Sequence, residues 1–204
     1  MIRPNLLRLT VIAVCAAALS GCISLLPKTK PAQLYRFGAG AAAASEPARP
    51  ASAVAVFLTN GTFQEEASDD RMLTMTGGHA AYIADSRWVA PADILFDQAV
   101  ARAFDASPVR LIARGQQGRS AYALRVDVRT FETRYEHGEK AAPTVVVRVH
   151  AALTRADQSG VGEQEFEARV PASDNRVGAI VSAYNTAVGD VVGKIVGWTE
   201  KSTT

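Results

Sequence analysis

Two cysteines and three histidines are the obvious donors for metal or nucleophilic chemistry in this 204-residue chain. His79, His137 and His150 fall in no HExxH pattern and in no short ligand cluster, which argues against a zinc site. The serines occupy no GxSxG context, so no nucleophile elbow is visible. Gly77-Gly78 lacks the Lys-Ser/Thr that completes a phosphate loop. Glu65-Glu66 and Asp69-Asp70 are adjacent carboxylates, better read as a solvated loop than as an acid–base pair. No cofactor is expected. Cys15 lies inside an apolar run, and Cys22 follows Leu19-Ser20-Gly21. The chemistry on offer is therefore modification of one thiol.

The residues around that thiol form a leader. Arg3 and Arg8 precede an apolar run from Leu9 to Leu19, then small residues. This is the layout of a secretory signal peptide, too short for an ordinary transmembrane helix. Leu19-Ser20-Gly21-Cys22 resembles the lipobox of bacterial lipoproteins. The resemblance implies that Cys22 is diacylated, that the chain is cut before it, and that the new amine is acylated too, with chains such as palmitate. Stable anchoring takes more than one acyl chain, at about 0.8 kcal/mol per buried CH2. An ordinary signal with a chance cysteine is the alternative. Ile23 rather than aspartate follows Cys22, which resembles cargo sorted to the outer membrane. The expected organisation is a signal peptide over 1–21, the lipidated cysteine and a spacer over 22–32, and one domain over 33–204.

Charge excludes one partner class. Lys and Arg total 22 against 20 acidic residues, and Arg3 and Arg8 belong to the leader. The remainder is balanced, so nothing points to nucleic acid. Once Cys15 leaves and Cys22 is acylated, no thiol is left for a disulfide.

Hydropathy patterning supplies the elements. Gln33-Leu34-Tyr35-Arg36-Phe37 reads as a short strand, and 38–50 is an Ala/Gly/Pro-rich insert. Ala53–Leu58 has the composition of a buried strand. Residues 60–80 are hard to read: Asn60-Gly61 marks a turn, Gln64–Arg71 a polar loop, Met72–Thr76 a strand broken by Gly77-Gly78, and Ala80–Ala84 a short strand. Pro91–Phe104 predicts a helix with Leu95, Phe96, Ala99, Val100 and Phe104 on one face. Val109–Ala113 is a further strand.

The second half is regular. Tyr122, Leu124, Val126 and Val128 alternate with Arg125, Asp127 and Arg129. Phe131, Thr133 and Tyr135 lie on the opposite parity, so a bulge or a change of face is expected near Thr130. Val145–Leu153 and Phe166–Val170 make two more strands, with Arg148 and His150 outward, giving an antiparallel meander with one wetted face. After Pro171, Ser173 or Asp174 caps a helix running to about Trp198. Its glycines Gly189, Gly193 and Gly197 suggest a smooth side pressed against the sheet or a neighbouring subunit. The sum is an α/β (α+β) two-layer sandwich: a mostly antiparallel or mixed sheet with two helices packed on one face.

The lipobox, Leu34-Tyr35-Arg36-Phe37, the Arg87-Trp88-Val89-Ala90-Pro91 lead-in to a helix, the strand set and the long terminal helix together resemble the ABC-type transport auxiliary lipoprotein family, the PqiC-like group. The chain departs from it in the 38–50 insert and in 60–80. The resemblance implies a non-catalytic accessory lipoprotein of an envelope lipid transport system, facing the periplasm. Its implied partners are an MCE-domain protein, an ABC permease and an ATPase, with docking or conduit completion at the outer membrane. Phospholipid and a second copy of the chain are further candidate partners.

Arg87 and Trp88 have two readings. They anchor an interface, or Trp88 packs the helix start while Arg87 makes a local ion pair. Arg125, Asp127, Arg129 and Arg148 either face a partner or form a solvated sheet face. Two other functions stay open: a lipid-binding carrier or sensor, which needs an apolar cavity, and an envelope hydrolase, which needs a nucleophile and base brought together from afar.

Overall fold

The alternating stretches of the second half form the spine of the fold, and every other strand is placed against it. The computed structural model describes residues 31–38 and 54–203. The leader, Cys22 and the insert beyond Gly38 lie outside the described residues. In chain order the strands are β1 (Gln33–Tyr35), β2 (Ala55–Leu58), β3 (Arg71–Thr76), β4 (His79–Trp88), β5 (Arg110–Ile112), β6 (Tyr122–Arg134), β7 (Thr144–Arg155) and β8 (Gly160–Pro171). The helices are α1 (Ala92–Asp105) and α2 (Val177–Ser202).

β6, β7 and β8 form the antiparallel meander, paired from Tyr122↔Arg155 to Arg134↔Thr144 and from Thr144↔Pro171 to Thr154↔Gly160. The other edge of β6 is shared. Its first residues pair in parallel with β2, its last with β3, and Phe63 bridges Val128 between them. The sheet thus forks at β6, one arm continuing to β5 and the other through β4 to β1. It is a mixed sheet, as the fold class requires. The register slips between Val128 and Thr130. That bulge at Arg129 is the expected change of parity: Leu124, Val126 and Val128 face the core before it, Phe131 and Thr133 after it.

Both helices pack on one face of the sheet and against each other, α2 on β7 and β8 and α1 beside β5. α2 buries Ile180, Tyr184, Val188, Val191 and Ile195, and α1 buries Leu95, Phe96, Val100 and Phe104. The side chains of each set recur at helical spacing, so each helix presents one apolar stripe. The core is centred on rings. Phe37, Trp88, Phe131 and Tyr184 lie with neighbouring centroids 4.8–6.3 Å apart. The first and last elements therefore meet, and the Gly38 amide donates to Asn185 Oδ1 at 2.8 Å.

Several local expectations are corrected. α2 begins at Val177 with Arg176 at its cap position and no side-chain cap. Ser173 and Asp174 do not cap it, because the preceding turn is held elsewhere: Asn175 accepts from the Tyr135 hydroxyl at 2.9 Å and donates to the Glu139 carbonyl at 2.7 Å. Gly189, Gly193 and Gly197 are not pressed against the sheet; an added Cβ at each would meet nothing within 4 Å. The sheet is met by the valine and isoleucine stripe instead. β4 is far longer than Ala80–Ala84 and includes Arg87 and Trp88, and Gly77-Gly78 is the turn of a β3–β4 hairpin rather than a break. The 60–70 segment lies along β6. Thr59 donates to the Leu124 carbonyl, Gln64 to the Val128 carbonyl, and the Val128 amide to Thr62.

Candidate functional site

On the meander, the side chains between the core-facing ones point away from the helices and form a mosaic of charge. β6 contributes Arg125, Asp127 and Arg129, β7 Arg148 and His150, and β8 Glu163, Glu165 and Glu167. The register sets Asp127 opposite His150, His150 opposite Glu165, and Arg148 opposite Glu167. Side chains at such cross-strand positions are close enough to pair.

The pairs link into a chain. Arg148 Nε donates to Glu167 Oε2 at 2.6 Å, and its guanidinium lies 3.7 Å from Glu165. Arg129 Nη1 donates to the same Glu165 at 3.1 Å. Arg169 binds Glu136 and sits 4.0 Å from Glu167. The hydrogen bond and charge of Glu167, with Glu165 and Glu132 beyond, push the Arg148 pKa up, so it stays a cation throughout. The Arg125 and Arg129 side chains are 52% exposed and Arg148 37%. Pairs this open each contribute little to stability, about 0–1 kcal/mol.

Asp127 differs, being 8% exposed. Burial alone would raise its pKa. The Thr62 amide at 2.9 Å, the Thr62 hydroxyl at 3.1 Å and the Arg125 Nε at 3.0 Å outweigh it and hold the carboxyl below its ordinary range. Asp127 thus ties the 60–64 segment to the charged face. His150 stands beside it, Nδ1 at 3.7 Å from Asp127 and Nε2 at 3.3 Å from Glu163. Its Nδ1 is buried and makes no hydrogen bond among the described residues.

Arg87 and Trp88 lie apart from this mosaic. Trp88 is 2% exposed and meets Phe37 and Tyr184 edge to face. Arg87 pairs with Asp70 at 2.6 Å. The same turn serves α1, which has no side-chain cap. The Ala92 and Asp93 amides donate to the Asp69 and Ser68 carbonyls, and the Trp88 amide to the Asp70 carbonyl. Asp69-Asp70 is thus a helix-capping turn, and Trp88 packs the helix start into the core. Burial removes Trp88 from any exposed surface, and near-complete burial confines Asp127 to a supporting position.

Two depressions flank the charged face. One of about 530 Å³ is lined by Met75, Gly77, Glu132, Arg134, Tyr135 and Glu136. The other, about 240 Å³, is lined by Thr59, Ala123, Arg125, Ala152, Thr154 and Glu163. Charged side chains line both, unlike an acyl-chain cavity. Among the described residues, no group of three or more His, Cys, Asp or Glu is placed to hold a metal ion, and no helix is long and apolar enough to cross a membrane. Alternation in the sequence places Glu165, Glu167 and Arg169 outward on β8, but does not pair them with the arginines of β6 and β7.

A family model described as the ABC-type transport auxiliary lipoprotein component matches residues 35–196, from β1 to the last turns of α2. The chain belongs to this family. It is accordingly a non-catalytic accessory lipoprotein of an ABC-type transport system, acting in the cell envelope. The crystal structure of protein XCC0632 from Xanthomonas campestris has the same fold, with TM-score 0.72 and 24% identity over 84% of this chain and 96% of that one. Protein CT253 from Chlamydia trachomatis is similar at TM-score 0.52 and 10% identity, covering 74% and 98% of the two chains. No protein of curated function matches the auxiliary lipoprotein sequence.

Proposed function

We propose that this lipoprotein is cut before Cys22, held by acyl chains on Cys22 at the periplasmic side of the outer membrane, and docks there an MCE-domain protein served by an ABC permease and ATPase. Residues 1–21 are the signal peptide, 22–32 the lipidated cysteine and spacer, and 33–204 the docking domain. Its contact surface is the charged face, with Arg125, Arg129 and Arg148 toward the partner and Asp127 bracing them from behind. Arg87 is the exposed member of the Arg-Trp step and a secondary contact.

The observation that carries this reading is the pairing of half-exposed arginines with carboxylates. A guanidinium already held in position loses little freedom on contact. Alternating charge also selects a partner by complementarity more than by raw affinity.

The test is a mild crosslinking pull-down of acylated protein from native membranes, with partners identified by mass. Wild-type protein should recover an MCE-domain protein with its permease and ATPase, and the Arg129→Glu/Arg148→Glu variant should lose them. Unchanged recovery by the variant would remove the charged face from the proposal. Phospholipid in fixed ratio without those partners would instead favour a lipid carrier.

A further inference from the structure

The tip of the β3–β4 hairpin lies at one end of the sheet, level with the start of the β6–β7 turn, where Met75 pairs with Arg134 and the Tyr135 amide donates to the Met75 carbonyl. β1 covers only Ser86, Arg87 and Trp88 of β4, so among the described residues the outer edge of His79–Asp85 has no strand partner. The whole stretch from Met72 to Ala84 contains no Asp, Glu, Lys or Arg. Its far half is open to solvent: Gly77 to Tyr82 are all exposed, and Tyr82 is 36% exposed. Edge strands in water are usually guarded by charge, proline or a covering segment. Over 79–84 this one has neither charge nor proline, and no covering segment among the described residues.

The direction of β1 relates that hairpin to the chain upstream. β1 runs parallel to β4, with Gln33 opposite Ser86 and Tyr35 opposite Trp88. The chain therefore enters β1 from the side on which the hairpin tip lies. β4 is bulged beside Asp85, and β3 spans Arg87 to His79 with only Arg71 to Thr76, so the hairpin runs about 15 Å past that entry point at ~3.3 Å per residue. From Cys22 to Gln33 the chain spans at most about 40 Å at ~3.3–3.6 Å per residue. That maximum span exceeds the distance to the tip, so the spacer is long enough for acyl chains on Cys22 and the tip to meet one bilayer.

From this geometry we infer that the hairpin tip, Gly77 to Ala81, is the part of the domain that rests on the lipid bilayer. Tyr82 is held from the protein side, its hydroxyl donating to the Glu66 carbonyl at 3.0 Å and the Arg71 guanidinium 3.8 Å from its ring, and the uncharged Gly77–Ala81 segment beyond it is what meets the headgroups. The opposite end of the sheet, at the β7–β8 turn, carries Arg155 and Asp157 and faces away from the membrane. The inference rests on acylation of Cys22.

Gly78 and Gly160 give matched probes at the two ends, since an added Cβ at either meets nothing within 4 Å. The acylated protein with Gly78→Cys or Gly160→Cys has one free thiol for a fluorophore. Each is reconstituted into phosphatidylethanolamine–phosphatidylglycerol vesicles bearing a nitroxide at the top of the acyl chain. Flotation with the vesicles and the mass of the Cys22 peptide report anchoring independently of the probe. Quenching at position 78 should exceed that at 160 by at least about twofold. Equal quenching, or more at 160, in protein that floats would overturn the inference and leave acylation standing. A Cys22 peptide of unmodified mass would overturn both.

Discussion

Phe37 meets Trp88 edge to face, with ring centroids 4.9 Å apart and planes at 82°. This contact fastens the chain just after β1 to the strand that leads into α1. Phe37 also packs on Phe131, at 5.0 Å between centroids, and is fully buried. Phe37→Ala should cost about 3–5 kcal/mol, read as a lower urea midpoint with the slope unchanged. A loss under about 1 kcal/mol would mean that this end of the chain is not part of the core.

Two glycines should respond in opposite ways to alanine. A Cβ on Gly61 would lie 1.8 Å from the Val126 carbonyl oxygen. The segment cannot withdraw without releasing Thr62 from Asp127, so Gly61→Ala should severely destabilise the fold. Gly193 sits on an exposed helix face with open space beside it. Gly193→Ala should raise stability by about 0.5–1 kcal/mol, seen as an increase in melting temperature.

Asp127 should give the domain an acid-sensitive contribution. Its folded pKa is depressed, so the folded state releases this proton more readily than the unfolded chain. The stability it supplies is present above the ordinary aspartate pKa of about 4 and is lost as pH falls through the lower folded value. Asp97 acts in the opposite sense. Burial pushes its pKa up despite Arg114, so its contribution grows more favourable on acidification. The difference between wild type and Asp127→Asn, measured as urea midpoint against pH, isolates the first effect. The gap should be widest near neutrality and narrow below about pH 4.

The charged face should matter more to recognition than to stability. A double-mutant cycle on Arg129→Ala and Glu165→Ala should give a coupling under about 1 kcal/mol that shrinks in high salt. A coupling of several kcal/mol would make the face a structural element rather than a recognition surface.

Val191 is fully buried between α2 and the sheet. Val191→Asp places a carboxylate there without a partner, and should abolish folding or cost more than about 4 kcal/mol. Soluble expression and circular dichroism would show it.

Where side chains alternate or recur every three to four residues, the sequence by itself determined the outcome. The meander, both helices and the bulge near Thr130 follow from periodicity, because the side of an element that is buried is a local property. The lead-in to α1 was partly legible: Pro91 marks the start, but the groups that cap it, the carbonyls of Ser68 and Asp69, come from another segment. Only Ala80–Ala84 of β4 was legible, because most of the strand is exposed on both faces and no alternation marks its length. The 60–70 segment takes its course from amides and carbonyls of β6, partners that no local pattern specifies. Likewise, Arg125, Asp127, Arg129 and Arg148 could be placed outward from sequence, but not given their partners. Which carboxylate meets which guanidinium depends on the register of β7 against β6 and β8, and only the tertiary structure sets it. The charge balance of the chain is thus a sequence property, while the mosaic it forms on one face belongs to the fold.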